Sequence, residues 1–200
     1  YCDGGTLEEY IENIKKSKNI ITNEELKEIY SQLINGMNDI NSKLIHRDIK
    51  LKNILLKDGI IKIGDFGISK SISDTTRTIT FKGYGTAEYI APEGWRFEKN
   101  TIKMDIYSMG IVFYQIATLL NYPYKILKGS EEEYRNAHLY GSVINPRNYN
   151  RNIEFNIETT ILKMLEKEPK KRFNNWEEIQ NQILVEKNYK NSKSVKIYFK

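Results

Sequence analysis

The sequence predicts a mainly α-helical domain that carries one small β-hairpin. Three patterns say so. Apolar residues at Leu26, Ile29, Tyr30, Leu33, Ile34, Met37 and Ile40 fall at helical three-four spacing. Residues 104–120 are apolar almost all round, which suits a central buried helix. Two short apolar stretches, 54–56 and 60–63, flank an Asp-Gly turn that supplies the backbone angle of a tight hairpin.

In chain order, Thr22 and Glu25 form a capping box that starts the first of these helices. Residues 44–53 show no helical period. The hairpin follows, with Ile61 and Ile63 alternating against Lys62. Residues 68–84, rich in Ser, Thr and Lys, read as a long surface loop, and loops of that length are usually functional. After the central helix, 121–152 mixes tyrosine, asparagine and two prolines, with a short helix expected near 130–139. Ile157, Ile161, Met164 and Leu165 outline a helix expected to end at Pro169, and Trp176, Ile179 and Ile183 outline the last. The basic stretch 187–200 is expected to be a poorly ordered tail, although Val195, Ile197 and Phe199 alternate like a strand. No repeat, linker or low-complexity segment divides the chain.

Bulk properties narrow the function. The 200 residues suffice for one sizeable core, and the net charge of +5 is mild. The lysines form no stripe with interleaved aromatics, so nucleic acid is not an expected partner. A single cysteine, Cys2, rules out an internal disulfide or a thiolate zinc cluster and fits a reducing, cytoplasmic compartment. The longest apolar run, 111–120, is about half of what a bilayer needs, so no membrane span is expected. The chain opens at Tyr1 inside what reads as working sequence, and is expected to be a fragment.

The chemistry lies around the hairpin. His46-Arg47-Asp48-Ile49-Lys50-Leu51-Lys52-Asn53 precedes it, and Asp65-Phe66-Gly67 follows its second strand. The hairpin therefore presents Asn53 and Asp65 side by side, and an amide oxygen with a carboxylate suits magnesium. Asp48 stands close enough to orient a hydroxyl, and Lys50 to neutralise a transferred phosphate. This is the outline of a phosphoryl-transfer site. Taken singly, Asp48 is a turn or cap residue and His46 a core histidine; the Asn53 and Asp65 partners reverse the reading of Asp48.

These segments resemble the catalytic and metal-binding loops of eukaryotic protein kinases. Further matches follow in order: Gly85-Thr86-Ala87-Glu88-Tyr89-Ile90, Ala91-Pro92-Glu93, the Asp105 to Gly110 stretch and Glu168-Pro169 through Arg172. The resemblance spans 1–186 and implies a kinase-like carboxy-terminal lobe, beginning at the hinge, of a fold that is α+β when an amino-terminal lobe is included. It implies ATP and magnesium as cofactors and a protein Ser/Thr hydroxyl as substrate, in a monomeric catalytic domain. Asp48 would take the hydroxyl proton, Asn53 and Asp65 would hold magnesium, and Leu55 would floor the adenine pocket. Cys2 would meet the adenine edge through its backbone. Lys50 and Thr86 resemble the serine/threonine branch, with Thr86 bonded to Asp48 and Lys50. Glu93 and Arg172 would form a buried ion pair, Asp105 would hold the catalytic-loop backbone, and His46 would stack with Phe66.

Arg47 implies regulation by an activation-loop phosphate, for which Thr75, Thr76, Thr78 and Thr80 are candidates and Thr78 or Thr80 the favoured ones. Lys52 stands where kinases with basic substrates have an acid, and Thr6 where some place an acid against the ribose. The spacing resembles the NIMA-related and calcium/calmodulin-type groups without fixing either. No glycine-rich phosphate loop, strand lysine or partner glutamate is present, so the 200 residues alone are expected to bind ATP weakly and to be inactive. The competing reading is a pseudokinase or scaffold that docks partners.

Overall fold

A computed structural model describes residues 4–66 and 86–184, together with the backbone of 70–71. Tyr1, Cys2, Gly67, Thr75, Thr76, Thr78, Thr80, Gly85 and the 187–200 tail lie outside the described residues. The first helix, α1 (Leu7–Lys16), is one that periodicity alone passed over. Its signal was there. Thr6 caps it, accepting from the Glu9 N–H while the Glu9 carboxylate accepts from the Thr6 N–H, and Leu7 and Ile11 face inward. The same device starts α2 (Asn23–Asn41) at Thr22 and Glu25, as the sequence predicts.

Then come β1 (Leu44–Ile45), the 3₁₀ turn Leu51–Asn53, and the hairpin of β2 (Ile54–Lys57) and β3 (Ile60–Ile63). The hairpin is antiparallel, with Ile54 opposite Ile63 and Lys57 opposite Ile60. Asp58 and Gly59 both take positive φ, 50° and 76°, the geometry of a two-residue hairpin loop. Within the stretch expected to be all loop, β4 (Lys70–Ser71) pairs with β1.

The carboxy-terminal half is helical: α3 (Pro92–Trp95), α4 (Ile102–Ala117), α5 (Glu131–Tyr140), α6 (Phe155–Met164) and α7 (Trp176–Leu184). The central helix α4 is buried from Met104 to Ala117. It starts earlier than its apolar run and stops before Leu119 and Leu120, which take positive φ values of 52° and 68° as the chain turns away. Helix α6 ends at Met164, so Pro169 opens the next 3₁₀ turn (Pro169–Lys171) rather than stopping the helix.

Helices α2 and α6 pack against α4, and α7 packs against α2 and α6. Tyr30 stacks on Phe113 at 3.9 Å between ring centroids, and its hydroxyl donates to the Phe113 carbonyl. Gly110 lets α6 approach closely, because a Cβ there would lie 2.9 Å from Met164 Cβ. This block is the floor on which the polar loops at 46–53, 64–66 and 86–89 rest.

Candidate active site

Loop 46–53 is hung from α4 by one carboxylate. Asp105, fully buried, accepts from the His46 N–H through Oδ2 (2.8 Å) and from the Arg47 N–H through Oδ1 (2.9 Å). Asn41, at the end of α2, donates to the same Oδ2 at 2.7 Å and to the Leu44 carbonyl. Its own oxygen accepts from the Trp176 indole at 2.8 Å. Burial pushes the Asp105 carboxyl up, and the bonds from Arg47, Asn41 and His46 oppose that shift. Asn41 is a functional residue that the sequence did not announce. A lone Asn at a helix end reads as a cap, and its partners Asp105 and Trp176 are more than sixty residues away along the chain.

Held this way, the loop turns sharply. Arg47 takes φ 69°, a left-handed conformation costly for a side-chain-bearing residue, and Asp65 takes φ 63° across the site. His46 links the two segments. The Asp48 N–H donates to its Nδ1 at 3.4 Å, which leaves the proton on Nε2 for the Gly64 carbonyl at 3.1 Å. Its ring also meets Phe66 at 5.0 Å, tilted by 46° rather than stacked.

Asp48 is the centre of the arrangement. Its Oδ2 accepts from Lys50 Nζ at 2.8 Å and from Asn53 Nδ2 at 3.0 Å, while Asn53 Nδ2 also reaches the Asp48 carbonyl. Its Oδ1 is buried and has no hydrogen-bond donor. Lys50 donates in addition to Thr86 Oγ1 at 3.0 Å. Thr86 therefore reaches Asp48 through the Lys50 ammonium, not by the direct bond that the sequence leads one to expect.

Asn53 and Asp65 are brought side by side by the hairpin. Gly64 N–H donates to the Asn53 carbonyl at 2.9 Å, one step beyond the Ile54–Ile63 pair, and Asp65 follows. The Asn53 amide nitrogen is committed to Asp48. Leu55, half-buried in β2, lies under Gly64 and bridges by backbone to Thr6. Lys52 sits 3.8 Å from the Glu8 carboxylate, which burial pushes up and Lys52 pulls down.

Below the site, Arg172 grips Glu93 with both terminal nitrogens, at 2.7 and 2.8 Å. Its Nε donates to the Glu166 carbonyl, so the buried charge is fully met by oxygens. This pair ties the segment that follows the 86–89 turn to the loop before α7.

A carboxylate gripped by a lysine and an amide, with the Gly64–Asp65 segment bonded to the backbone of that amide residue, is an arrangement compatible with phosphotransfer. Comparison with known proteins gives the family. The family profile described as protein kinase domain matches residues 1–185. The chain belongs to the protein kinase domain family. It is 32% identical to a probable serine/threonine-protein kinase of Clostridium acetobutylicum over 96% of this chain and 28% of that one. It is 30% identical to the probable serine/threonine-protein kinase PknB of Lactococcus lactis, over 92% of this chain and 28% of the relative. Serine/threonine-protein kinase Nek11 of Homo sapiens is 32% identical over 60% of this chain and 18% of its own length. The chain thus spans little more than a quarter of the bacterial relatives it matches.

Proposed function

We propose that the protein bearing this chain transfers the γ-phosphate of ATP to serine or threonine hydroxyls of other proteins. One observation carries the reading: Asp48 has one oxygen fixed by Lys50 and Asn53 and the other buried without a donor. An unmet buried acceptor is costly, and a substrate hydroxyl brought to this edge would supply the missing donor. In the transfer, the hydroxyl oxygen forms a bond to the γ-phosphorus, and the bond from that phosphorus to the bridging oxygen of the departing ADP breaks. The hydroxyl proton passes to Asp48 and then to solvent. Lys50, already positioned between Asp48 and Thr86, offsets negative charge on the moving phosphoryl group.

Asn53 and Asp65 would hold magnesium, which spreads the phosphate charge during transfer. The donor set fits. Among the described residues no group of three or more His, Cys, Asp or Glu could hold a metal. A pair of hard oxygens that leaves the remaining positions to phosphates and water is how magnesium is commonly kept at such sites. Leu55 would pack under the adenine, with the Cys2 backbone at its edge, and Arg47 would pair with a phosphate on Thr78 or Thr80. The glycine loop and lysine that clamp ATP phosphates are not among these 200 residues, so the chain by itself would bind ATP weakly and transfer little.

The test is a phosphotransfer assay of the full-length protein with γ-labelled ATP and a mixed protein substrate. Label recovered on phosphoserine or phosphothreonine supports the reading. Label confined to tyrosine, or none, contradicts it.

A further inference from the structure

Under the 86–89 turn lies a buried polar cluster that the proposed chemistry does not use. It joins α4, the connector after it, α5 and the loop after α6. Lys167 Nζ donates to the Tyr124 hydroxyl at 3.0 Å and to the Ala137 carbonyl at 2.9 Å. The Tyr124 and Tyr107 hydroxyls are 2.6 Å apart. Tyr107 lies 2.8 Å from His138 Nδ1, and Tyr122 lies 2.9 Å from His138 Nε2. The Tyr122 hydroxyl ends the series on the Glu88 carbonyl at 2.6 Å. Glu88 is two residues from Thr86, and the Tyr89 N–H in the same turn donates to the Thr86 carbonyl at 2.8 Å.

The two ends give the series a direction. A carbonyl only accepts, so the single Tyr122 proton points at Glu88, and His138 Nε2 must donate to Tyr122. An ammonium only donates, so Tyr124 accepts from Lys167 and turns its own proton to Tyr107. Tyr107 then donates to His138 Nδ1. Every hydroxyl is used once in each sense, and the imidazole has one bare nitrogen and one protonated nitrogen. An imidazolium would make Tyr107 an acceptor from the ring and a donor to Tyr124, whose own proton would then face the ammonium.

We propose that His138 is a positioning residue for the turn that carries Thr86: as the neutral imidazole with its proton on Nε2, it completes a one-way hydrogen-bond chain from Lys167 to the Glu88 carbonyl. The groups facing it agree. Tyr107 from α4, Tyr122 and Tyr124 from the connector, and Lys167 present no carboxylate to a ring that is wholly buried. Glu88 and Ala87 meet the ring through their backbone, and the Glu88 carboxylate takes the Tyr134 hydroxyl at 3.3 Å. Burial, and then the Lys167 charge, push the imidazole down to about 3. Through this chain the cluster sets the height of the turn from which Thr86 meets Lys50. The inference rests on the reading that this turn serves phosphotransfer.

The test uses the whole 200-residue chain without nucleotide. Nitrogen NMR of the two histidine rings, assigned by loss of one set in His138→Gln, reads the tautomer directly. At pH 6 the His138 ring is expected to show a bare Nδ1 and a protonated Nε2. A protonated Nδ1, in either a neutral or a charged ring, overturns the proposal. Hydrogen exchange at the Tyr89 amide supplies a second readout. Tyr122→Phe removes only the hydroxyl and is expected to speed that exchange about tenfold, with α4 and α6 amides unmoved. His138→Gln keeps a donor near the Nε2 position and is expected to preserve the protection; His138→Asn, which reaches only the Nδ1 position, is expected to lose it. Equal loss in both His138 variants, or none in Tyr122→Phe, overturns the proposal. Neither readout needs activity, so failure of this proposal and failure of the transfer assay are told apart.

Discussion

Arg172 and Glu93 meet as a two-pronged ion pair with both side chains out of water, 0% and 2% exposed. Such a pair adds little net stability but is expensive to break, because the survivor is left charged and dry. Arg172→Leu is predicted to cost ~3–5 kcal/mol. The double variant with Glu93→Leu should recover part of that. Urea denaturation of the chain and its variants measures both, and an equally unstable double variant would contradict the argument.

Asp105 meets the backbone N–H groups of His46 and Arg47 and the Asn41 amide at once. Asp105→Ala is predicted to release the loop while leaving most of the helical core in place. Exchange at the His46 and Arg47 amides should accelerate by more than tenfold, roughly the loss of one charge-assisted bond each. Amide exchange checks this residue by residue.

The pH dependence follows from His138 and Lys167. Burial holds the His138 imidazole down at about 3 against an ordinary 6.5. Between those values the unfolded chain binds a proton that the folded chain refuses, so stability falls as pH drops from 6.5 towards 3. Burial and Arg172 push Lys167 down to about 7 from 10.5, so stability rises with pH across that window by the same logic. His138→Gln is predicted to flatten the acid limb, and Lys167→Met the alkaline rise. Thermal melts across pH test both.

Lys50 reaches Asp48 and Thr86 together. Lys50→Ala in the full-length protein is predicted to lower kcat by roughly 100-fold, the usual loss when one charge-stabilising donor is removed, with little change in the KM for ATP. Steady-state kinetics separate the two.

Much of this could be read along the chain. Thr22 with Glu25, the Asp58-Gly59 turn and the all-round apolar α4 announce themselves because each is a local pattern with one physical solution. The helix α1 was legible too, in Thr6 and Glu9, but its flanking glycines and short apolar face hid it. The approach of Asn53 to the Gly64–Asp65 segment was legible because a hairpin brings its two ends together. Asn41 and His138 were not. Their meaning lies in Trp176, Asp105, Tyr107 and Tyr122, partners chosen by tertiary packing and carrying no spacing rule. The link from Thr86 to Asp48 was expected as a direct bond. The ammonium of Lys50 takes that place because it satisfies both oxygens at once.

The central claim is that Asp48 handles the proton of the hydroxyl that receives phosphate. The most direct measurement is the initial rate of phosphate transfer to a protein serine or threonine by the full-length protein and by its Asp48→Asn variant, with folding of both checked by thermal melt. The account predicts a fall in kcat of ~10²–10⁴-fold with ATP binding retained. A folded Asp48→Asn variant that transfers phosphate at the parent rate would contradict it.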